Sequence, residues 1–318
     1  MRFELLTGRE ALSLELWHDL AHRDLTCVFT NTPVWIRACS ETLGWEPGCL
    51  AWKREEVVVP FVIRRRRRRF VIRAESHPLG QIGGPLAAGG LHRDLSQLMN
   101  GGLRSIALEF LMYPTCNRFS GPTWERTTHK VHHVTFHAEE GSVWERASRK
   151  CTSAARSAVR QGVDVIRVRD GPYLDETIAL HNRQQRGRKA CTHSPSWWHR
   201  LVEETYDHVG LWSAVHNGRV VASLLVGWWN KHGIALVSTS DPEARPLKAG
   251  NLLYLAVLEQ LEALGLDTVD LGGSRGISTL ELFKESIGAK PKFRVFYRYR
   301  HPLLRIYQRL SSRRCRVD

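Results

Sequence analysis

The chain has 318 residues, with 46 Lys and Arg against 32 Asp and Glu, so its formal net charge is +14. Apolar residues make up 42% and charged residues 25%, which excludes a disordered, collagenous or coiled-coil chain and suits two ordinary domains or one large one. Seven cysteines, at 27, 39, 49, 116, 151, 191 and 315, include no CxxC pair, which argues against a disulfide framework or zinc ribbon.

Excess positive charge attracts polyanions such as nucleic acid, an anionic leaflet or phosphate-bearing substrates. The first 16 residues lack the basic start and apolar core of a signal peptide. The longest strongly apolar run, Val220 to Trp229, has the length of a strand and not of a membrane span. The expected location is cytoplasmic, with peripheral contact at the inner membrane face as a further expectation.

In chain order, Thr32-Pro33 opens a helix whose apolar side is Trp35, Ile36, Cys39 and Leu43. Cys49 to Lys53 and Val57 to Ile63 read as strands joined by a charged turn at 54–56, and Phe70 to Ile72 as a third. Pro78 to Gly90, rich in Gly and Pro, reads as a loop, and Asp94 to Met112 as helical. A second unit begins near Lys130, with a strand through Val134 and Phe136. Ser142 with Glu145 forms a capping box for a helix read as continuous to Gln161, ended by Gly162. Val163 to Val168 is a strand, Tyr173 to Lys189 a helix, and Ser194-Pro195 starts another helix through Tyr206.

The remaining order is the clearest. A strand at Leu211 to Val215 turns through Asn217-Gly218 into Val220 to Trp229, and Ile234 to Ser238 follows. A loop from Asp241 to Gly250 precedes a helix, Asn251 to Leu264. Then come a strand at 268–271, a helix at 277–287 and a strand at 292–299. Hairpin, strand, helix, strand, helix, strand implies an α/β domain around a mixed sheet.

Particular residues add to that order. Asp270-Leu271-Gly272-Gly273-Ser274, Leu280, Phe283-Lys284 and Ile287-Gly288-Ala289-Lys290-Pro291 resemble the "DLGGS … L … FK … GA" signature of FemAB-like proteins. Arg149-Lys150-Cys151 through Ala158, Arg160, Gly162 and Val163 is similar to that family's basic helix and following strand. Phe29 to Trp35 and Gly83-Gly84-Pro85-Leu86 resemble its amino-terminal landmarks. The resemblance implies α/β architecture with tandem GNAT-like domains, each a central mixed β-sheet flanked by helices, at 1–129 (the degenerate one) and 130–318. It also implies N-acyl transfer. FemAB proteins proper take an amino acid from aminoacyl-tRNA and add it to the amine of a peptidoglycan precursor, whereas relatives use acyl-CoA or an acyl carrier protein.

Acyl transfer to an amine needs a neutral amine, an anchored donor and a stabilised oxyanion. No Gly-x-Ser-x-Gly elbow or Cys/His nucleophile is present, so direct attack by the amine is the simpler route. GNAT-like folds supply the oxyanion contact from backbone amides, here expected near Val237 to Ser240. Arg245, Lys248, Gly250 and Asn251 make a phosphate cradle at a helix start, or a plain loop and cap. Lys248 stands where acetyl-CoA-dependent GNAT enzymes carry the first glycine of their pyrophosphate loop.

By resemblance Lys284 stabilises developing negative charge; the alternative is a lysine on an amphipathic helix. Asp270 positions the acceptor amine or caps the next turn. Arg183 and Arg186, with neighbouring Arg188 and Lys189, form a phosphate-binding patch or a solvated helix face. Arg64, Arg65, Arg66, Arg67, Arg68 and Arg69 form a basic hairpin tip for tRNA or an anionic leaflet, or an arginine-rich loop. The basic tail after Leu303 reads as an interfacial or docked helix. His129, His132, His133 and His137 read as structural, with no metal site, and Trp197-Trp198 and Trp228-Trp229 as core. No tightly bound cofactor and no stable protein partner are expected. Aminoacyl-tRNA or acyl-CoA is the co-substrate and an amine-bearing small molecule or peptide the acceptor; a non-catalytic RNA- or membrane-binding protein is the remaining alternative.

Overall fold

The structure, a computed structural model, describes residues 3–65, 72–76, 78–88, 95–96, 99, 109–112, 114, 119–136, 141–188, 190, 192–205 and 207–303. Arg66 to Arg69, Lys189, His137 and the tail after Leu303 lie outside these residues, as do the side chains of Arg64 and Arg65. The chain divides into two compact units, 1–129 with 294–318, and 130–293. Residues 294–303 thus cluster with the first unit, whereas the sequence reading placed them in the second.

The first unit holds β1 (Glu4–Thr7), α1 (Gly8–Leu12), α2 (Glu15–Arg23), α3 (Pro33–Leu43), β2 (Glu46–Trp52), β3 (Val57–Arg65), β4 (Ile72–Glu75), β5 (Leu86–Ala87) and β6 (Glu109–Met112). The Thr32 hydroxyl accepts from the Trp35 amide at the start of α3, and Gly44, at φ 65°, closes it. Strands β1, β2, β3, β4 and β6 lie in that order, and residues 297–300 pair antiparallel with β6. Their core is aromatic, with Trp52, Phe61, Phe110, Tyr297 and Tyr299 in one buried cluster.

Two expectations are corrected here. Glu109 to Met112 is a strand and not the end of a helix, because it pairs with β4 on one side and 297–300 on the other. The Gly-rich loop also contains a strand: buried Asp24 accepts from the Ala87 amide at 3.0 Å, pinning β5 against Val57 and Val58.

The second unit takes up the chain within β7 (Trp124–Thr135). It continues through α4 (Val143–Arg146), α5 (Arg149–Arg160), β8 (Val163–Val168), α6 (Pro172–Gly187), α7 (Pro195–Glu204), β9 (Val209–His216), β10 (Arg219–Trp229) and β11 (His232–Ser240). Then follow α8 (Ala249–Ala263), β12 (Thr268–Gly273) and α9 (Ser278–Ser286), before β13 (Lys290–Arg300) returns the chain to the first unit. The Ser142–Glu145 capping box forms as expected, but the helix after it is two helices: Ala147 is extended and Ser148 starts α5 as a new N-cap.

Strand order is β7, β12, β11, β10, β9, β8, with only β11 and β12 parallel. Asn217 and Gly218, at φ 50° and 72°, make the tight turn between β9 and β10, the all-positive geometry that matches strand twist. Alternation sorts the two faces. On one, Trp212 donates to Gln260 of α8 at 2.8 Å; on the other, Ser213, Ser223 and Thr177 of α6 form a buried triangle of hydroxyls. Helix α8 is apolar on most sides because it lies between the sheet and α5.

Candidate active site

Strand β11 is paired along its length on one side and over only part of it on the other. Strand β10 runs beside it from Trp229↔His232 to Ala222↔Ser240. Strand β12 pairs only His232, Gly233 and Ile234, so residues 235–240 have no strand partner on that edge among the described residues. A bulge between Leu225 and Val226 shifts the β10 register at this point, adding one residue, Leu236, to β11. A parallel pair that splits leaves a wedge in which backbone groups of one edge are offered to a ligand.

The split sits beside the loop that enters α8. Arg245 and Lys248 are exposed there and make no ion pair among the described residues. Lys248 has φ 58°, the left-handed conformation that glycine usually supplies, so the loop keeps that turn while carrying a cation. Gly250 lies in the first turn of α8. The Asn251 side chain instead donates inward from Nδ2 to Cys151 Sγ at 3.3 Å, tying the start of α8 to α5. Burial raises the Cys151 thiol above its ordinary range, which favours the uncharged thiol.

At the end of β12, Asp270 and Lys284 meet on one residue. The Gly272 amide donates to Asp270 Oδ1 at 2.7 Å, while Lys284 Nζ donates to the Gly272 carbonyl at 2.8 Å and the Gly273 carbonyl at 3.1 Å. Gly272 itself has φ 70°, which a side chain would strain. Lys284 is 4% exposed, and burial holds its ammonium below the ordinary lysine range against the pull of Asp270 and Glu281. It has three N–H groups, of which these carbonyls take two. Asp270 also lies 3.6 Å from His133 Nε2, its register partner on β7. On the alternate face of β7, Lys130 donates to Glu281 at 2.8 Å, and His132, fully buried, lies 3.5 Å from Glu285.

Other groups gather at the open end of β11. Gln184 of α6 accepts from the Thr239 hydroxyl at 3.0 Å and donates to the Ser240 carbonyl at 3.3 Å. Tyr254 of α8 hydrogen-bonds Ser238. Exposed Arg183 lies 3.6 Å from half-buried Asp241, and Arg186 is exposed. Tyr254 was not singled out in the sequence, where Gln184 counted only as a neighbour of the α6 basic patch and His133 as structural. Gln184 lies one turn along α6 from buried Leu180 and His181, a spacing that points it toward the sheet.

Residues 145–284 match the model of the acetyltransferase (GNAT) domain. The chain therefore carries a GNAT-type domain over these residues and has the fold of FemX. FemX superposes with a TM-score of 0.68 at 12% identity, covering 97% of this chain and 99% of FemX. The C-terminal domain of a putative lysylphosphatidylglycerol synthetase from Agrobacterium fabrum gives 0.58 at 12% identity, covering 89% and 90%. A tandem GNAT protein from the clavulanic acid biosynthesis pathway gives 0.57 at 12% identity, covering 94% and 98%. A sequence search of curated proteins finds no match. The domain match makes residues 145–284 an acyltransferase domain of GNAT type. Among the described residues, no helix is long and apolar enough to cross a membrane, and no three His, Cys, Asp or Glu gather to hold a metal ion.

A separate cluster joins α6 and α7. His181, buried, stacks on His193 at 5.2 Å, His193 stacks on Trp197 at 4.1 Å, and Trp198 stands edge-on to His181. Burial holds both imidazoles down at about 4, against 6.5 in an unfolded chain. Between those values the unfolded chain binds more protons, so stability is full above about 6.5 and falls as pH drops toward 4. The expected result is a melting temperature that declines over this interval, and a His181→Phe variant with a shallower decline in the same calorimetric series.

Proposed function

We propose that this protein transfers an aminoacyl group from aminoacyl-tRNA to the amine of a peptide or cell-wall precursor. The observation that carries the reading is the split edge of β11 beside a loop whose turn geometry is kept but whose glycine position holds Lys248. The extra cation, Arg245 and the +14 charge favour a donor with many phosphates over one with few. Acyl-CoA is the second reading, favoured by the same loop at the start of α8 and by the GNAT domain match.

In the reaction, the neutral amine attacks the ester carbonyl of the donor, forming the amide bond. The ester C–O bond breaks, and the terminal ribose oxygen leaves with the proton that the amine loses. Backbone N–H groups near Val237 to Ser240 face the developing oxyanion. Lys284 and Asp270 fix the Gly272–Gly273 end of β12, which forms the other wall of the wedge. Gln184 and Tyr254 hold residues 238–240 in place from either side.

Titrations of the purified protein with charged tRNA, the same tRNA deacylated, and acetyl-CoA at physiological salt test the donor. The expected result is saturable binding that is tighter for charged than for deacylated tRNA, with no response to acetyl-CoA. Saturable acetyl-CoA binding with only salt-labile tRNA binding would establish the acyl-CoA reading instead.

A further inference from the structure

Helix α5 divides cleanly into two faces. Cys151, Thr152, Ala155 and Ala158 are buried against α8, and small side chains there let the two helices approach closely. The opposite face carries Arg149, Lys150, Arg156 and Arg160, all exposed, with no acidic residue anywhere in the helix. None of the four cations makes an ion pair or hydrogen bond among the described residues. Like charges at these spacings repel each other, so the pattern costs stability in the free protein.

Both ends of α5 lie at the split end of the sheet. Its first turn is held by the Asn251–Cys151 contact, at the start of the helix that the Arg245–Lys248 loop enters. Its last residue leads through Gly162 to Val163, which pairs with His216. His216 pairs in turn with Arg219 at the start of β10, whose Ala222 faces Ser240, the last residue of β11. The start of α5 therefore lies beside the start of α8, the helix that the donor loop enters. Along the helix, Arg149, Arg156 and Arg160 are spaced about 10 and 6 Å apart at 1.5 Å per residue. A row of fixed positive charges of this kind fits a chain of phosphates and not a single one.

We propose that the exposed face of α5, continuous with Arg245 and Lys248, is the surface that binds the tRNA backbone and delivers its charged end to the split of β11. The proposal rests on the aminoacyl-tRNA reading above and adds where that donor lies. The face is sequence-blind: it contacts phosphates, which position without specifying.

The test compares the wild-type chain with an R149Q/R156Q/R160Q variant, in which glutamine preserves helix propensity and the buried face is untouched. Deacylated bulk tRNA is titrated by fluorescence anisotropy over a series of salt concentrations, with anionic phosphatidylglycerol vesicles as a parallel arm and circular dichroism as a folding check. The expected result is a folded variant with at least about tenfold weaker tRNA binding at low salt. The slope of log K against log salt should be lower by about 2, as for three lost phosphate contacts. Wild-type binding to tRNA with unchanged affinity and slope in the variant overturns the α5 surface and leaves the donor reading standing. A wild-type protein that does not bind tRNA overturns both. Loss of vesicle binding alone, with tRNA binding intact, assigns the face to a membrane and overturns the proposal.

Discussion

Replacing Lys284 with alanine is expected to slow transfer by about 100-fold or more and to lower stability by about 2–4 kcal/mol. Both effects follow from the two hydrogen bonds that its ammonium donates to the carbonyls of Gly272 and Gly273, deep enough in the protein that water cannot replace it freely. Without it, those carbonyls lose a charged donor and the glycine end of β12 loses its anchor. The wedge beside β11 then has one loose wall, and misplacement of about 1 Å is enough to cost two orders of magnitude in rate. The loss should fall on kcat more than KM, because the cations proposed to bind the donor's phosphates lie on other elements. Denaturant unfolding gives the stability, and single-turnover transfer with the folded fraction known gives the rate. A folded variant with near-normal rate would remove Lys284 from the site.

The second large effect is expected at Asp270. Its carboxylate accepts from the Gly272 amide at 2.7 Å and stands 3.6 Å from His133 Nε2. Alanine here deletes the cap of the turn and leaves His133 without its carboxylate neighbour, a loss of about 2–4 kcal/mol with a fall in rate comparable to that of Lys284→Ala. Asparagine keeps an acceptor oxygen at the same place, so Asp270→Asn should recover most of the stability and most of the rate. An Asp270→Asn protein that is stable but as slow as the alanine variant would show that the negative charge, and not the cap, serves the reaction. Because the two residues grip the amide and the carbonyl of the same glycine, their alanine variants are expected to be non-additive in a double-mutant cycle.

Much of the second unit is legible in the sequence because its signals are local. Asn217-Gly218 specifies a tight turn by itself, Ser142 with Glu145 caps a helix, and the order of strands and helices after Leu211 follows from alternation and length. Elements that depend on distant partners are not legible. The strand at 109–112 lies in a helix-like stretch and exists because residues 297–300, nearly 190 positions away, pair with it. The strand at 86–87 depends on a carboxylate at position 24. The break between α4 and α5 escapes notice because Ala147 is a good helix former; only the amide of Ser148, which donates to the Ser286 carbonyl, shows why the chain turns there.

The candidate site divides in the same way. Asp270 and Lys284 stand out from a resemblance, and the structure brings them together on Gly272. Their roles as anchors of a strand end need the coordinates, since nothing in the spacing of 270 and 284 says which atoms meet. Asn251 carries a polar side chain in a suitable place but turns it inward to Cys151. Gln184 and Tyr254 reach β11 from the helices on its two faces; helical spacing turns Gln184 toward the sheet, but only the fold brings it to Thr239 and Ser240.

The most direct test of acyl transfer at the split of β11 is a single-turnover assay with two labelled donors, bulk aminoacyl-tRNA and acetyl-CoA, and a mixture of amine-bearing peptides and cell-wall precursors. The account predicts that label moves from aminoacyl-tRNA into an amide-linked product with the wild-type protein, and about 100-fold more slowly with Lys284→Ala. Label moving only from acetyl-CoA would contradict the donor assignment. No transfer from either donor by a folded protein that binds tRNA would contradict the enzyme itself.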